Sequence, residues 1–216
     1  MSAARRKDVP ALTRGIIVEA TMRIIDAEGL EGMSMRRLGA ELGVDPAAVY
    51  YHVSSKSELH DLIADKIMGD IDLSSDDPTK PIADRLVSGA WIYREALLVH
   101  PKALPLMLAR SARTVTQLRP VEVLLGIFAD AGFSPTESIT GVDVLGQFVL
   151  GMAAVHANHI TDSPLHDDRD FDELPADQFP HMTRVLAEAE YLGSDKEFDA
   201  GVRALVTGLL ALHDAG

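Results

Sequence analysis

Apolar residues recur along the chain at steps of three and four, the spacing that lines one face of an α-helix. Ile17, Ala20, Ile24 and Ala27 make the first such stripe and predict a helix over 11–28 that stops at Gly29. Met35, Leu38 and Leu42 make a second, shorter stripe, with Ser34 as its N-cap and Gly43 where a left-handed C-cap residue belongs. Asp45 caps a third helix with Pro46 at its first position, where a missing N–H costs nothing. Ser55-Lys56-Ser57-Glu58 is a capping box that opens a fourth helix over 56–71, with Leu59, Leu62, Ile63 and Ile67 on its apolar face. "LSSDDPTKP" (73–81) then reads as a linker or hinge. Beyond it the pattern predicts helices over 81–99, 102–112, 117–131, 135–160, 181–192 and 195–213. Residues 161–180, with seven acidic residues and three prolines, interrupt the run and are expected to form a mobile loop. No period-two strand pattern stands out, so the expected fold class is all-α.

Helix, short helix, glycine turn, short helix is the arrangement of a helix-turn-helix unit, here about 34–53 within 11–72. In that arrangement the second short helix enters the DNA major groove. The stretch "VDPAAVYYHV" (44–53) suits the part. Val44, Val49 and Val53 fall on the inward face, while Ala47 and Tyr51 fall opposite, flanked by Ala48 and Tyr50. Small residues at 47 and 48 allow a close approach to the duplex. Tyr50 and Tyr51 can lay rings on sugars and thymine methyls and donate hydroxyls to phosphate or base. His52 and Lys56 are placed for phosphates, Arg36 for a bidentate contact with a guanine edge, and Ser34 for a phosphate. Packing between helices is the alternative role for Tyr50 and His52.

Net charge is −13, which taken alone argues against nucleic acid. The distribution changes that picture. Residues 1–60 carry eight Lys/Arg and eight Asp/Glu, so the entire negative balance lies beyond them. An ordinary acidic surface would give the same asymmetry. Arg5, Arg6 and Lys7 form a flexible basic arm over 1–10, available for phosphate or minor-groove contacts or simply solubilising. The absence of cysteine excludes disulfides, cysteine-ligated zinc, iron–sulfur clusters and a thiol nucleophile. No charged segment followed by an apolar one opens the chain, which reads as not secreted and cytoplasmic. The apolar run 144–155 is too short to span a bilayer and contains Gln147, so no membrane association is expected.

Residues 12–67 strongly resemble the DNA-binding domain of the TetR family of transcriptional regulators. The features that carry the resemblance are Gly29 and Gly32 before a hydroxyl-capped helix, "MRRLGAELGV", "VYYHV" and Lys56. It implies a homodimer whose two reading heads bind a palindromic double-stranded DNA operator. It assigns base or phosphate contacts to Ser34, Arg36, Pro46, Ala47, Tyr50, Tyr51, His52 and Lys56.

"VHPKALPLMLAR" (99–110), "ADAGFSPTES" (129–138) and "GQFVLGMAAVHANH" (146–159) are similar to the C-terminal domain of the tetracycline-repressor branch. That similarity implies that 73–216 is a ligand-binding and dimerisation domain, its interface made by helices 135–160 and 195–213. The candidate cavity residues are Trp91, His100, Met107, Arg110, Gln147, Phe148, Met152 and His156, an apolar wall with a few polar groups. Met107 falls where the tetracycline–magnesium sensors use a histidine and Val155 where they use a glutamate. The expected effector is therefore a small organic molecule bound without an obligatory metal or other cofactor. A metal-sensing regulator is the alternative, since His156, His159, Asp162, His166, Asp167 and Asp170 supply nitrogen and oxygen ligands in one region. No Gly-x-Ser-x-Gly, phosphate-binding glycine loop or His-Glu-x-x-His occurs, so no catalytic residues are assigned and an enzyme is not expected.

Overall fold

Thr13 starts the first helix. Its hydroxyl accepts from the Ile16 amide at 3.3 Å, and α1 runs Arg14–Gly32. In the computed structural model, which describes residues 11–160, 175–188 and 194–214, every described secondary-structure element is helical. The all-α expectation therefore holds. After α1 come α2 (Met35–Leu42), α3 (Pro46–His52), α4 (Lys56–Gly69), α5 (Ile82–Val99), α6 (Leu104–Leu108), α7 (Val115–Asp130), α8 (Pro135–Ile160), α9 (Pro180–Glu188) and α10 (Ser194–Asp214). Single 3-10 turns occupy Leu73–Ser75 and Pro101–Ala103.

The described chain divides into two compact units, residues 1–71 with 99–120, and residues 72–98 with 121–216. In the first, Ile17, Ile24 and Ile25 of α1 bury against the stripes of the following helices. Met33, Leu38, Val49, Val53, Leu59, Ile63 and Ile67 are all essentially inaccessible. The caps anticipated from sequence are made. Ser34 Oγ accepts from Arg37 N, Asp45 Oδ1 from Ala47 N and Ser55 Oγ from Glu58 N. Gly43 adopts φ 67°, a left-handed conformation that side-chain-bearing residues avoid. Gly29 also leaves helical geometry, at φ 77°, but the chain resumes helical turns to Gly32, three residues beyond the stop expected there.

The helix expected over 102–112 is replaced by a 3-10 turn, the short α6, and a non-helical stretch over 110–114. Two prolines explain the first change. Pro105 lacks the N–H that would bond to the carbonyl of Pro101, so the helix cannot run through. Tertiary bonds explain the second. Arg110 donates to Ser57 Oγ and Asp61, and buried Gln117 donates to the Asp61 carbonyl and to Asp65. Thr114 also donates to Asp65.

In the second unit α8 packs on α10. Val142, Leu145, Val149, Ala153 and Ala157 form the buried stripe of α8, and Phe198, Val202 and Val206 that of α10. Two glycines admit rings. A Cβ on Gly141 would stand 2.6 Å from Phe128 Cζ, and one on Gly201 2.6 Å from Phe148 Cζ. By length and composition Pro135–Ala157 could cross a membrane. Here its apolar stripe is spent on the core of the unit. Buried Arg85 grips Asp76 with two nitrogens, at 2.8 and 2.7 Å, and Asp130 with a third at 2.9 Å. The segment read as a linker is thereby tied to α5.

Candidate nucleic-acid interface and effector site

The third helix buries Val49 and Val53 completely, with Val44 half-buried, and turns its aromatics outward. Tyr51 is 89% exposed and Tyr50 49%. The ring of half-buried His52 meets Tyr51 edge-on at 5.5 Å. Ala47 is exposed, and Pro46 half-buried at the first turn. Two large exposed rings beside an alanine are poorly explained by packing within the subunit, because little of Tyr51 touches anything in it.

The electrostatics separate the basic residues of this unit into two sets. Arg14 pairs with Glu58 at 2.6 Å and Arg23 with Glu41 at 3.8 Å. Arg37 pairs with Glu28 at 2.8 Å and Glu41 at 2.9 Å, and these carboxylates push its pKa up. Arg36 and Lys56 are exposed and carry no ion pair among the described residues. Ser34 is exposed too, and its oxygen caps α2 while its O–H stays available to donate. On α4, His60 has a buried Nε2 without a hydrogen-bond partner, and burial beside Lys56 and Arg110 lowers its pKa. The sequence does not single out Arg14, and it shows Glu58 only as part of the capping box. Arg14 Nε donates to the His52 carbonyl at 3.0 Å across 38 residues, a separation that no local pattern reveals.

The candidate effector residues fall in both units. In the second, Trp91 meets Phe198 edge-on at 4.8 Å and Phe148 stacks on the other side of the cluster at 5.9 Å from Phe198. Trp91 Nε1 donates to Asp199 at 3.2 Å. The guanidinium of buried Arg94 lies over both Trp91 and Phe198 and donates to Asp195 at 2.7 Å. Met152 and His156 are half-buried on α8, and Gln147 is exposed. Tyr93, beside this cluster in sequence, is pushed up to about 12 by burial. In the first unit, His100 Nδ1 lies 3.0 Å from both carboxylate oxygens of Asp26, Arg110 is held by Asp61, and Met107 is half-buried. Among the described residues, no three of His, Asp or Glu come together to hold a metal ion. Asp162, His166, Asp167 and Asp170, the side chain of His159, and the basic arm lie outside the described residues.

Residues 17–62 match the family described as "Bacterial regulatory proteins, tetR family", and residues 76–213 match "Tetracyclin repressor-like, C-terminal domain". The chain is 30% identical over 199 residues to the HTH-type transcriptional repressor DrrR1 of Streptomyces coeruleorubidus, covering 84% of this chain and 67% of that one. It is 28% identical over 206 residues to the class E tetracycline repressor of Escherichia coli, covering 92% and 90%. Among solved structures, ActR of Streptomyces coelicolor in complex with actinorhodin superposes with a TM-score of 0.82 at 27% identity, covering 94% of this chain and 98% of that one.

Proposed function

The chain belongs to the TetR family and is a ligand-responsive transcriptional regulator with a helix-turn-helix DNA-binding domain, and from this premise we propose that it represses as a homodimer on a palindromic operator and is released by a small organic effector. In this reading 11–72 binds DNA and 73–216 binds effector and partner subunit, in the cytoplasm. The observation that carries the DNA half is the selective freedom of Arg36 and Lys56. Neighbouring arginines Arg14, Arg23 and Arg37 are neutralised within the subunit, while these two stand exposed with no ion pair among the described residues. In this reading Ser34, Arg36, Pro46, Ala47, Tyr50, Tyr51, His52 and Lys56, the positions that the family resemblance assigns, touch the operator. Half-sites about one helical turn apart, ~34–36 Å, suit a two-fold protein.

Arg36 and Lys56 are expected to fail differently. Arg36→Ala relaxes preference at one base pair by ~1–3 kcal/mol, the worth of a bidentate base contact. Lys56→Ala weakens all duplexes alike and lowers the salt slope by about one. Binding isotherms on the operator and single-base variants across a salt series check both. Equal losses on every sequence for Arg36→Ala would remove its base-reading role.

The effector half is supported by the aromatic cluster of Trp91, Phe148 and Phe198 and by two relatives: ActR holds actinorhodin, and the class E repressor is named for tetracycline. We assign Trp91, Gln147, Phe148, Met152 and His156 of the second unit to effector binding. In this reading the effector binds without an obligatory metal. An effector acts only through its preference for the state that does not bind DNA. A 100-fold release requires about 2.7 kcal/mol of coupling, and by reciprocity saturating operator weakens effector binding 100-fold. Titration of actinorhodin, with and without operator, is the measurement; equal affinities in the two would sink the coupled-release reading.

A further inference from the structure

The recognition helix is too short to hold itself. Seven residues make about two turns, and the last carbonyls of such a helix have no partner inside it. Its packing is mainly on α2. At its C-terminal end, the Val53 amide closes on the Val49 carbonyl at 3.0 Å, and the next connection runs outward. Arg14, in the first turn of α1, donates Nε to the His52 carbonyl at 3.0 Å and a terminal nitrogen to Glu58 Oε1 at 2.6 Å. The second oxygen of Glu58 accepts from both the amide and the hydroxyl of Ser54, at 2.7 and 2.6 Å. In an ordinary capping box the carboxylate returns to the amide of its own N-cap, here Ser55. This one reaches a residue further back, to the chain just leaving α3. Those hydroxyl and amide bonds, and then Arg14, hold the Glu58 carboxyl below the usual carboxylate range, so it stays ionised at neutral pH.

We propose that Arg14 and Glu58 are positioning residues for DNA reading, a two-point clamp that fixes the C-terminal end of α3 to α1 and α4 rather than a pair of DNA contacts. The planar guanidinium makes both bonds in fixed directions, which an ammonium cannot do. The positive group also sits at the carbonyl end of α3, the end that favours cations. The inference rests on the DNA-binding reading above, and its consequence is a reversal of sign. Near DNA, removing the negative charge of Glu58 by simple electrostatics tightens binding to every duplex. A clamp predicts that Glu58→Gln instead lowers discrimination, because Tyr50, Tyr51 and Arg36 no longer present to the bases in register.

The test compares wild type, Arg14→Ala and Glu58→Gln, each confirmed folded by thermal melting, on the operator and on a random duplex across a salt series. Amide exchange at Val53 is followed in the free proteins. In both variants the operator-to-random affinity ratio should fall at least about 5-fold, the loss expected for the weakest well-formed base contact. The salt slope should stay unchanged and exchange at Val53 should accelerate. A slope lowered by about one in Arg14→Ala, with Glu58→Gln tightening both duplexes, would make Arg14 a phosphate contact and overturn the clamp. An unchanged affinity ratio, or unchanged Val53 exchange, in both variants would overturn it too. A wild type without sequence preference would count against the DNA-binding function instead, and the exchange measurement would still decide the clamp.

Discussion

Glutamate at Val155 or at Leu212 is expected to leave the subunit folded and to cost roughly 10²–10⁴-fold in operator affinity, the avidity lost when two reading heads are no longer linked. Val155 on α8 is 58% exposed and Leu212 on α10 75%, so neither change disturbs the buried stripes. Both extend apolar rows. Val144, Phe148, Gly151 and Val155 recur at steps of four, three and four on α8, and Leu205, Leu209 and Leu212 at steps of four and three on α10. Nothing lies within 4 Å of where a Cβ would project from Gly151 or Gly208, so a facing helix could come close. The two helices pack together, which places their uncovered apolar residues on one unit. A second copy related by a two-fold axis meets such a surface with the same surface. One substitution then introduces two like charges into the contact. Sedimentation should report monomer, and a full palindrome should bind no better than a half-site. Wild-type operator affinity in a monomeric variant, or an unperturbed dimer in both variants, would refute this assignment of the interface.

Phe128→Ala should be among the most damaging single truncations in the second unit, at ~3–5 kcal/mol. For a chain of this size that is a fall of roughly 6–20 °C in Tm. Phe128 is fully buried, meets Phe133 edge-on at 5.1 Å, and lies against the backbone of α8 where Gly141 leaves room for it. The same geometry predicts a cost of ~1–3 kcal/mol for Gly141→Ala, whose methyl would overlap an aromatic ring that cannot swing away. Combining Phe128→Leu with Gly141→Ala should recover part of that cost, since the two positions share one space. Calorimetry on the four proteins closes the cycle. A loss below about 1 kcal/mol for Phe128→Ala would mean the ring does not fill the core as described.

How much of this was legible in the sequence depends on how far apart the interacting residues lie. Caps and turns are settled within four residues. Ser34, Gly43, Asp45 and the Ser55 cap could be read because a hydroxyl, a carboxylate or a missing Cβ acts on its own turn of backbone. Helical rows are settled within seven, so the helices and the outward face of Tyr51 could be read from periodicity alone. The choice between Arg36 and Arg37 could not. They are adjacent on one helix; Glu41 reaches Arg37 at the local i,i+4 spacing, but the second carboxylate, Glu28, nine residues earlier, is brought to it only by the fold. His100 and Arg110, read as effector residues, each meet a carboxylate, Asp26 and Asp61, that lies 74 and 49 residues away. Arg94 reads in the sequence like any helical arginine, but its guanidinium is buried against the rings of Trp91 and Phe198 and paired across 101 residues with Asp195. Sequence by itself determined the caps, most of the helices and the character of the reading head, because those follow from backbone geometry within a few residues, whereas the 102–112 segment, shaped by tertiary bonds, departs from the helix its pattern predicts. Tertiary structure alone decided which charges remain free to meet DNA and which are consumed inside the subunit, because a charge is neutralised by whatever packing brings within 4 Å of it, and no local pattern records that distance.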